Sequence, residues 1–318
     1  METILLPKDV AIKAFDYALQ VADNKFKETA TNILSQLKAP PANPLFFHML
    51  GGFRIYQGGR EVSRESFRRA QAWKLICFLA HSFPRRVSHE TIMEAFWPGI
   101  EEVSAKRNIY TNLSSLCMTL EPYKERNSRS QYIHHHDGMI WLEPSLIAGS
   151  DVAAFESSCQ SGEAQLASGN DVEALALFRK ARTIFKGDYL ENEPYTDWAI
   201  SRRSLIEGRL LLLHKRLSAL LLKQGNLGEA ISCLEEAFAR DPFQEWICRA
   251  LMKAYHQAGL RGKIQGCFDS LKESLHQELN VEPDPRTCDL YIHLSNAGQP
   301  DGYHNRGDAG LQRINSGS

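Results

Sequence analysis

The sequence predicts a mainly α chain in which a small α+β unit precedes an all-α helical array, on three observations. Between Leu45 and Ala148, β-prone runs and glycine turns bracket three short amphipathic helices. Beyond Ser150 the helical spacing of apolar residues is nearly continuous. Gly225 and Gly259 sit 34 residues apart in segments that resemble each other, the period of a tetratricopeptide-like repeat.

From Lys8 to Lys38, Ala11, Phe15, Ala18, Ala22, Phe26, Ala30, Ile33 and Leu37 step by three or four, which predicts an amphipathic helical extension. The prolines of Ala39–Pro44 end it, so residues 1–44 form an extension and linker. Strands follow in the runs FFHMLGGF and RIYQ, with a tight hairpin turn at Gly58-Gly59. A helix marked by Phe67, Ala70, Leu75, Ile76 and Leu79 runs to about Ser82 and stops at Phe83-Pro84. Ser88 caps a second helix carrying Ile92, Met93, Phe96 and Trp97.

The third helix, Ser104–Leu120, places Ala105, Ile109, Leu113, Leu116 and Leu120 on one apolar stripe. Lys106, Arg107, Tyr110, Thr111, Ser114, Ser115 and Met118 lie towards the other side. After a polar loop, QYIHHHDGMIWL reads as a hairpin turning at Asp137-Gly138. Helix, helix, polar-faced helix and hairpin, in that order, are the parts of a winged helix-turn-helix, here residues 45–148.

In residues 149–297, Ser150 or Asp151 caps a helix with Val152 and Phe155, and three similar segments follow, turning at Gly169, Gly225 and Gly259. The wider first interval predicts an insertion, GDYLENEPYTDWAISRR, decorating one face of the repeats. Residues 298–318 are poor in apolar residues and expected to be disordered.

The 318 residues carry a formal net charge of −1, so any affinity for nucleic acid must be local. Residues 45–148 hold 13 Lys and Arg against 10 Asp and Glu, the sign such a patch requires. The seven cysteines are scattered and form no CxxC pair, which reads as reduced thiols in a cytoplasmic protein. No run approaches 18 apolar residues, so no membrane insertion is expected.

On these parts the chain resembles the SARP-type transcriptional regulators, a winged helix-turn-helix of the response-regulator output type followed by a helical bacterial transcriptional activation domain. The residues that carry the resemblance are Leu50-Gly51-Gly52-Phe53, Arg69–Ala80, Val87-Ser88, Ala95–Pro98, the stripe of the third helix, Tyr132-Ile133, Ser150-Asp151 with Phe155-Glu156, and Glu278–Pro285. The resemblance implies a DNA-binding regulator, an activator, reading repeated half-sites. It departs from the family pattern where arginines would occupy the second half of the third helix; Ser115, Cys117 and Met118 stand there. The wing turn carries His135, His136, Asp137, Gly138 and Met139 instead of an arginine-glycine turn.

Tyr110, Thr111, Ser114 and Ser115, with Met118, are therefore the candidates for base or sugar contact, Thr111 with its methyl against a thymine methyl. Lys106 and Arg107 are candidates for phosphates, Arg85 and Arg86 for a phosphate clamp, and His135 and His136 for the wing tip. The expected partners are double-stranded DNA, RNA polymerase and a second copy of the chain on DNA. A metal at His134–His136 is not expected, because alternate strand residues face opposite ways. No catalytic triad spacing or phosphate-binding loop is present, and Arg261-Gly262-Lys263-Ile264 lacks the required glycine and hydroxyl, so neither enzyme activity nor a cofactor is expected. The competing reading is a protein-interaction adaptor whose winged helix no longer binds DNA and whose repeats hold a partner.

Overall fold

The computed structural model describes residues 43–124 and 128–296, together with Lys13 and Tyr17. The expected N-terminal extension and C-terminal tail lie outside the described residues. The chain divides into two compact units at Leu213/His214.

The first unit opens with a hairpin, β2 (Arg54–Gln57) and β3 (Arg60–Val62), turning at Gly58-Gly59. β1 (Leu45–His48) lies antiparallel to β2 and parallel to β7 (Ile147–Ser150), giving the sheet order β3-β2-β1-β7. Three helices follow the hairpin: α1 (Ala70–Ser82), α2 (His89–Phe96) and α3 (Glu102–Leu120). Ser88 caps α2 by accepting from the Thr91 N–H at 3.1 Å, as its position before the first apolar residue predicted. The second sheet, β4-β6-β5, joins β4 (Val87–Ser88) to the wing hairpin β5 (Ile133–His136) and β6 (Met139–Leu142). Phe53 and Phe67 meet Trp73 edge-on, with ring centroids 5.0 and 5.3 Å away, at the centre of the core under α1.

β7 runs directly into α4 (Asp151–Ala167), which pairs with α5 (Asp171–Ile184). Ser150 is the cap, accepting from the Ala153 N–H. Asp151 points back into the core and accepts the N–H groups of Met49 and Leu50 at 2.8 and 3.0 Å.

The insertion between repeats departs from expectation. It does not decorate a face. Tyr189, Leu190, Glu193 and Thr196 are buried, and the segment lies along the turn that follows β1. Leu50 bridges Tyr189, Leu190 N–H donates to the Met49 carbonyl, and the Asn192 amide oxygen accepts from Phe53 N–H at 2.8 Å. Gly51 and Gly187 pack backbone to backbone, and a Cβ on Gly187 would sit 2.7 Å from the Gly51 Cα. From α6 (Ile200–Lys223), the Arg203 guanidinium donates to the carbonyls of Tyr189, Glu193 and Pro194 and so holds the strap closed. Such contacts are tertiary, and no sequence period reports them.

The second unit holds the end of α6, α7 (Leu227–Arg240), α8 (Glu245–Gln257), α9 (Arg261–Ser274) and α10 (Pro285–Asn296). α8 packs on α7, α9 and α10. Gly225 and Gly259 end their helices at φ values of 74° and 72°, as the repeat predicted. Glu245 at the start of α8 accepts from Asp284 N–H at 3.0 Å and from the buried Thr287 hydroxyl at 2.5 Å, which seats the Asp284-Pro285 turn.

Two outcomes follow for the first unit. Replacement Asp151→Ala leaves the buried N–H groups of Met49, Leu50 and Val152 without this acceptor and should cost about 2–4 kcal/mol in urea unfolding, with Asp151→Asn losing less because one acceptor oxygen remains. A loss below about 1 kcal/mol in the alanine variant would show that water replaces the carboxylate. The second outcome concerns His81, whose ring lies against Phe78 and Trp198 and whose Nδ1 is 2.9 Å from the Tyr189 hydroxyl. Burial, aided by Arg85 and Arg202, pushes its pKa down to about 4. The folded state keeps His81 neutral, so its contribution is complete above the unfolded value near 6.5 and is lost as pH falls from there through 4. Melting temperatures between pH 7 and 5 should fall, and His81→Gln should flatten that fall.

Candidate nucleic-acid interface

α3 separates two chemistries by its period. Ala105, Ile109, Leu113, Leu116 and Leu120 are buried, as predicted from their spacing. Val103, Arg107, Tyr110, Ser114 and Met118 form one exposed line on the opposite side, with Lys106 and Thr111 half-buried on its flanks. Lys106 pairs with Glu102 one turn earlier, and the Thr111 hydroxyl donates to the Arg107 carbonyl at 2.8 Å.

Ser115 is a correction. It lies on the row Asn112, Ser115, Thr119, which turns inward, and Thr119 reaches the Ser66 carbonyl at 3.4 Å. The Ser115 side chain is 9% exposed and its hydroxyl is a buried group with no hydrogen-bond partner. One residue from the exposed Ser114 is a turn of about 100° around the helix, enough to move a side chain from the surface into a seam. Ser115 does not share the outer face with Ser114.

The wing stands beside this face. The Tyr110 ring meets His135 on β5 edge-on at 5.9 Å and His89 of α2 at 5.5 Å, so Tyr110 ties the second helix, the third helix and the wing together. Burial holds the His89 pKa below its usual value. His136 is exposed at the hairpin tip, 3.2 Å from the Asp137 carboxylate. His134 faces Glu143 at 3.0 Å. Hydrogen bonds from Ser145 hold the Glu143 carboxyl below the usual carboxylate range, with His134 adding to the effect. Among the described residues, no group of three or more His, Cys, Asp or Glu side chains is placed to hold a metal ion.

Between α3 and the wing runs an open groove of about 1740 Å³. Tyr110, Ser114, Met118, His135 and His136 line it, with the edge of Ser115. Arg85, Arg86, Lys106, Arg107 and Thr111 lie outside its lining. Arg86 stacks its guanidinium 4.2 Å over the Trp141 ring of β6, so its stem braces the wing strand. Arg85 is exposed in the loop ahead of β4.

Three cations on the groove walls were missed by reading the sequence: Arg68, before α1, and Lys124 and Arg129, in the loop between α3 and β5. The signal was weak because Arg68 and Arg129 lie 61 positions apart in the chain. Glu121 organises that loop by accepting from the Ser130 hydroxyl and, at 2.8 Å, from the Gln131 N–H, while Lys124 donates to the Ser128 carbonyl.

A three-helix core with a polar-faced third helix and an adjoining β-hairpin defines a winged helix-turn-helix, here leading into helical repeats. Comparison with known proteins agrees. Residues 150–294 match the bacterial transcriptional activator domain. The chain is 24% identical over 260 residues to the transcriptional regulatory protein MoaR1 of Mycobacterium tuberculosis, covering 80% of each. It is 26% identical over 258 residues to the regulatory protein AfsR of Streptomyces griseus, covering 81% of this chain and 25% of AfsR. Among solved structures, Mycobacterium tuberculosis EmbR, in complex with a low-affinity phosphopeptide, shares the fold at a TM-score of 0.64 and 18% identity, over 81% of this chain and 67% of EmbR. Together these likenesses support a SARP-type transcriptional regulator.

The inward Ser115 generates its own test. Ser115→Ala should leave DNA affinity unchanged in fluorescence anisotropy, and thermal unfolding should show stability unchanged or raised by up to about 1 kcal/mol, because the hydroxyl it removes makes no bond. Weaker DNA binding by this variant would return Ser115 to the contact surface.

Proposed function

We propose that this regulator is an activator that binds duplex DNA through residues 45–148 and contacts RNA polymerase, or a second copy of itself on repeated half-sites, through residues 149–297. The observation that carries the reading is the exposed line Arg107, Tyr110, Ser114 and Met118, set beside a groove whose walls hold Arg68, Lys124 and Arg129. α3 enters the major groove, and the wing with His135 and His136 lies against the adjoining backbone. Arg107 and the groove-wall cations neutralise phosphates, which supplies affinity; Tyr110, Thr111, Ser114 and Met118 face base edges, which supplies choice. Arg85 and Lys106 are outer phosphate contacts, and Arg86 serves one through its seat on Trp141. The protein acts by binding and not by catalysis, without cofactor or metal, in the cytoplasm where bacterial DNA lies. Among the described residues no helix is long and apolar enough to cross a membrane.

The adaptor reading keeps one supporting observation, that Arg107 is the single cation on the exposed line of α3. The salt dependence of DNA binding separates the two. For the full chain, log K should fall linearly with log salt, and Arg68→Ala, Arg107→Ala and Arg129→Ala should each weaken binding and reduce the slope by about 1. Binding that ignores salt, or is unaltered in all three variants, would favour the adaptor.

A further inference from the structure

We infer that α3 recognises thymine by its 5-methyl group, with Met118 as the side chain that sets this preference. The inference rests on the DNA-binding reading and names the base feature that the site selects. It begins from what the outer face of α3 cannot offer. Adenine is read by a bidentate Asn or Gln; Asn112 is buried with its Nδ2 donating to the Asn108 carbonyl at 2.8 Å, and Asn108 is half-buried, about 100° around the helix from Arg107 and off the exposed line. The Thr111 hydroxyl, whose proton could serve a base, is donated to the Arg107 carbonyl within the helix. The Tyr110 ring is fixed edge-on between His89 and His135. Arg107 is the single side chain on the exposed line with the fork that guanine requires.

Beside the single hydroxyl of Ser114, which serves several bases alike, what this face presents is apolar. Met118 is 51% exposed in the lining of the groove, four residues beyond Ser114, and Thr111 keeps its methyl group with its donor already used. An exposed thioether stem alone would be unremarkable on any protein surface. Here it lines the same groove as Arg68, Lys124 and Arg129, three cations against the acids Glu121 and Asp137, a net positive lining of the sign that phosphates require. The major-groove floor has one apolar base feature, the thymine methyl. A flexible, polarisable side chain reaching that floor gains by covering a methyl group and gains nothing from an amino or carbonyl edge. Operators of this protein therefore carry thymine opposite Met118.

The experiment is a selection of bound sequences from a random duplex pool by the full chain. Anisotropy on the selected duplex follows at one salt concentration, with each thymidine replaced in turn by deoxyuridine, which removes only the methyl. Wild type should bind about fourfold more weakly at one or two positions per half-site, the loss expected for one buried methyl group, and be indifferent elsewhere. Met118→Ala, an exposed substitution that circular dichroism should show folded, should bind thymidine and deoxyuridine duplexes alike at the Met118 position. A selected duplex with no deoxyuridine effect overturns the methyl reading and leaves DNA binding standing. An effect that persists in Met118→Ala overturns the assignment to Met118, and an equal effect at every thymidine marks duplex flexibility, not contact. A pool that yields no enriched sequence overturns both this inference and the DNA-binding reading beneath it.

Discussion

The buried carboxylate of Asp151 is the interaction on which the first unit depends. It accepts from Met49 and Leu50, about a hundred residues earlier, and from its own neighbour Val152, while His48 lies 3.3 Å away. A carboxylate taken out of water is costly unless its oxygens are satisfied, and three N–H donors do that, two from the turn after β1 and one from the first turn of α4. The consequence is geometric. β1 and β7 run parallel and adjacent, so their ends must be fixed together if the chain is to leave the sheet into α4, and one side chain fixes both. The turn after β1 is then held in place for the strap, and Arg203 closes the strap with donors aimed at the carbonyls of Tyr189, Glu193 and Pro194.

This arrangement changes how the two halves of the sequence relate. Texture changes at Ser150, where the β-containing region gives way to helix, yet compaction continues through α4, α5 and the start of α6 to Leu213. The first helices of the activator domain thus complete the sheet-bearing unit. Their strap gives the Met49–Phe53 turn backbone partners at Asp188 and Leu190, and Phe53 at the end of that turn packs on Trp73 of α1, against which α3 lies.

Much of this was legible in the residues, for physical reasons that differ by element. The buried stripe of α3 could be read because burial follows the helical period, and the turns at Gly58-Gly59 and Asp137-Gly138 because positive φ selects few residue types. The repeat glycines could be read for the same reason. The strap could not, because its acids and aromatics look like a solvated loop until the turn they cover is in place. Ser115 failed because two faces of one helix meet at a seam, where the fold and not the helical period decides which side a residue takes; one turn on, Thr119 reaches the Ser66 carbonyl, far away in the chain. The groove cations failed because proximity across the fold leaves no trace in spacing.

Those cations also account for the departure of α3 from the pattern its family resemblance implied. Charge that α3 lacks in its second half is present on the groove walls, in Arg68, Lys124 and Arg129, supplied by loops instead of the helix that faces bases. Phosphate neutralisation depends on where cations sit relative to the backbone and hardly on which element carries them. Base reading depends on the helix alone, because only its side chains reach the floor of the groove. On the reading proposed above, positive charge is shared between the start of α3 and the loops lining the groove, and the second half of α3 is left for specificity. In that division α3 keeps Lys106 and Arg107 for phosphates at its start and leaves Ser114 and Met118, further along, to select bases.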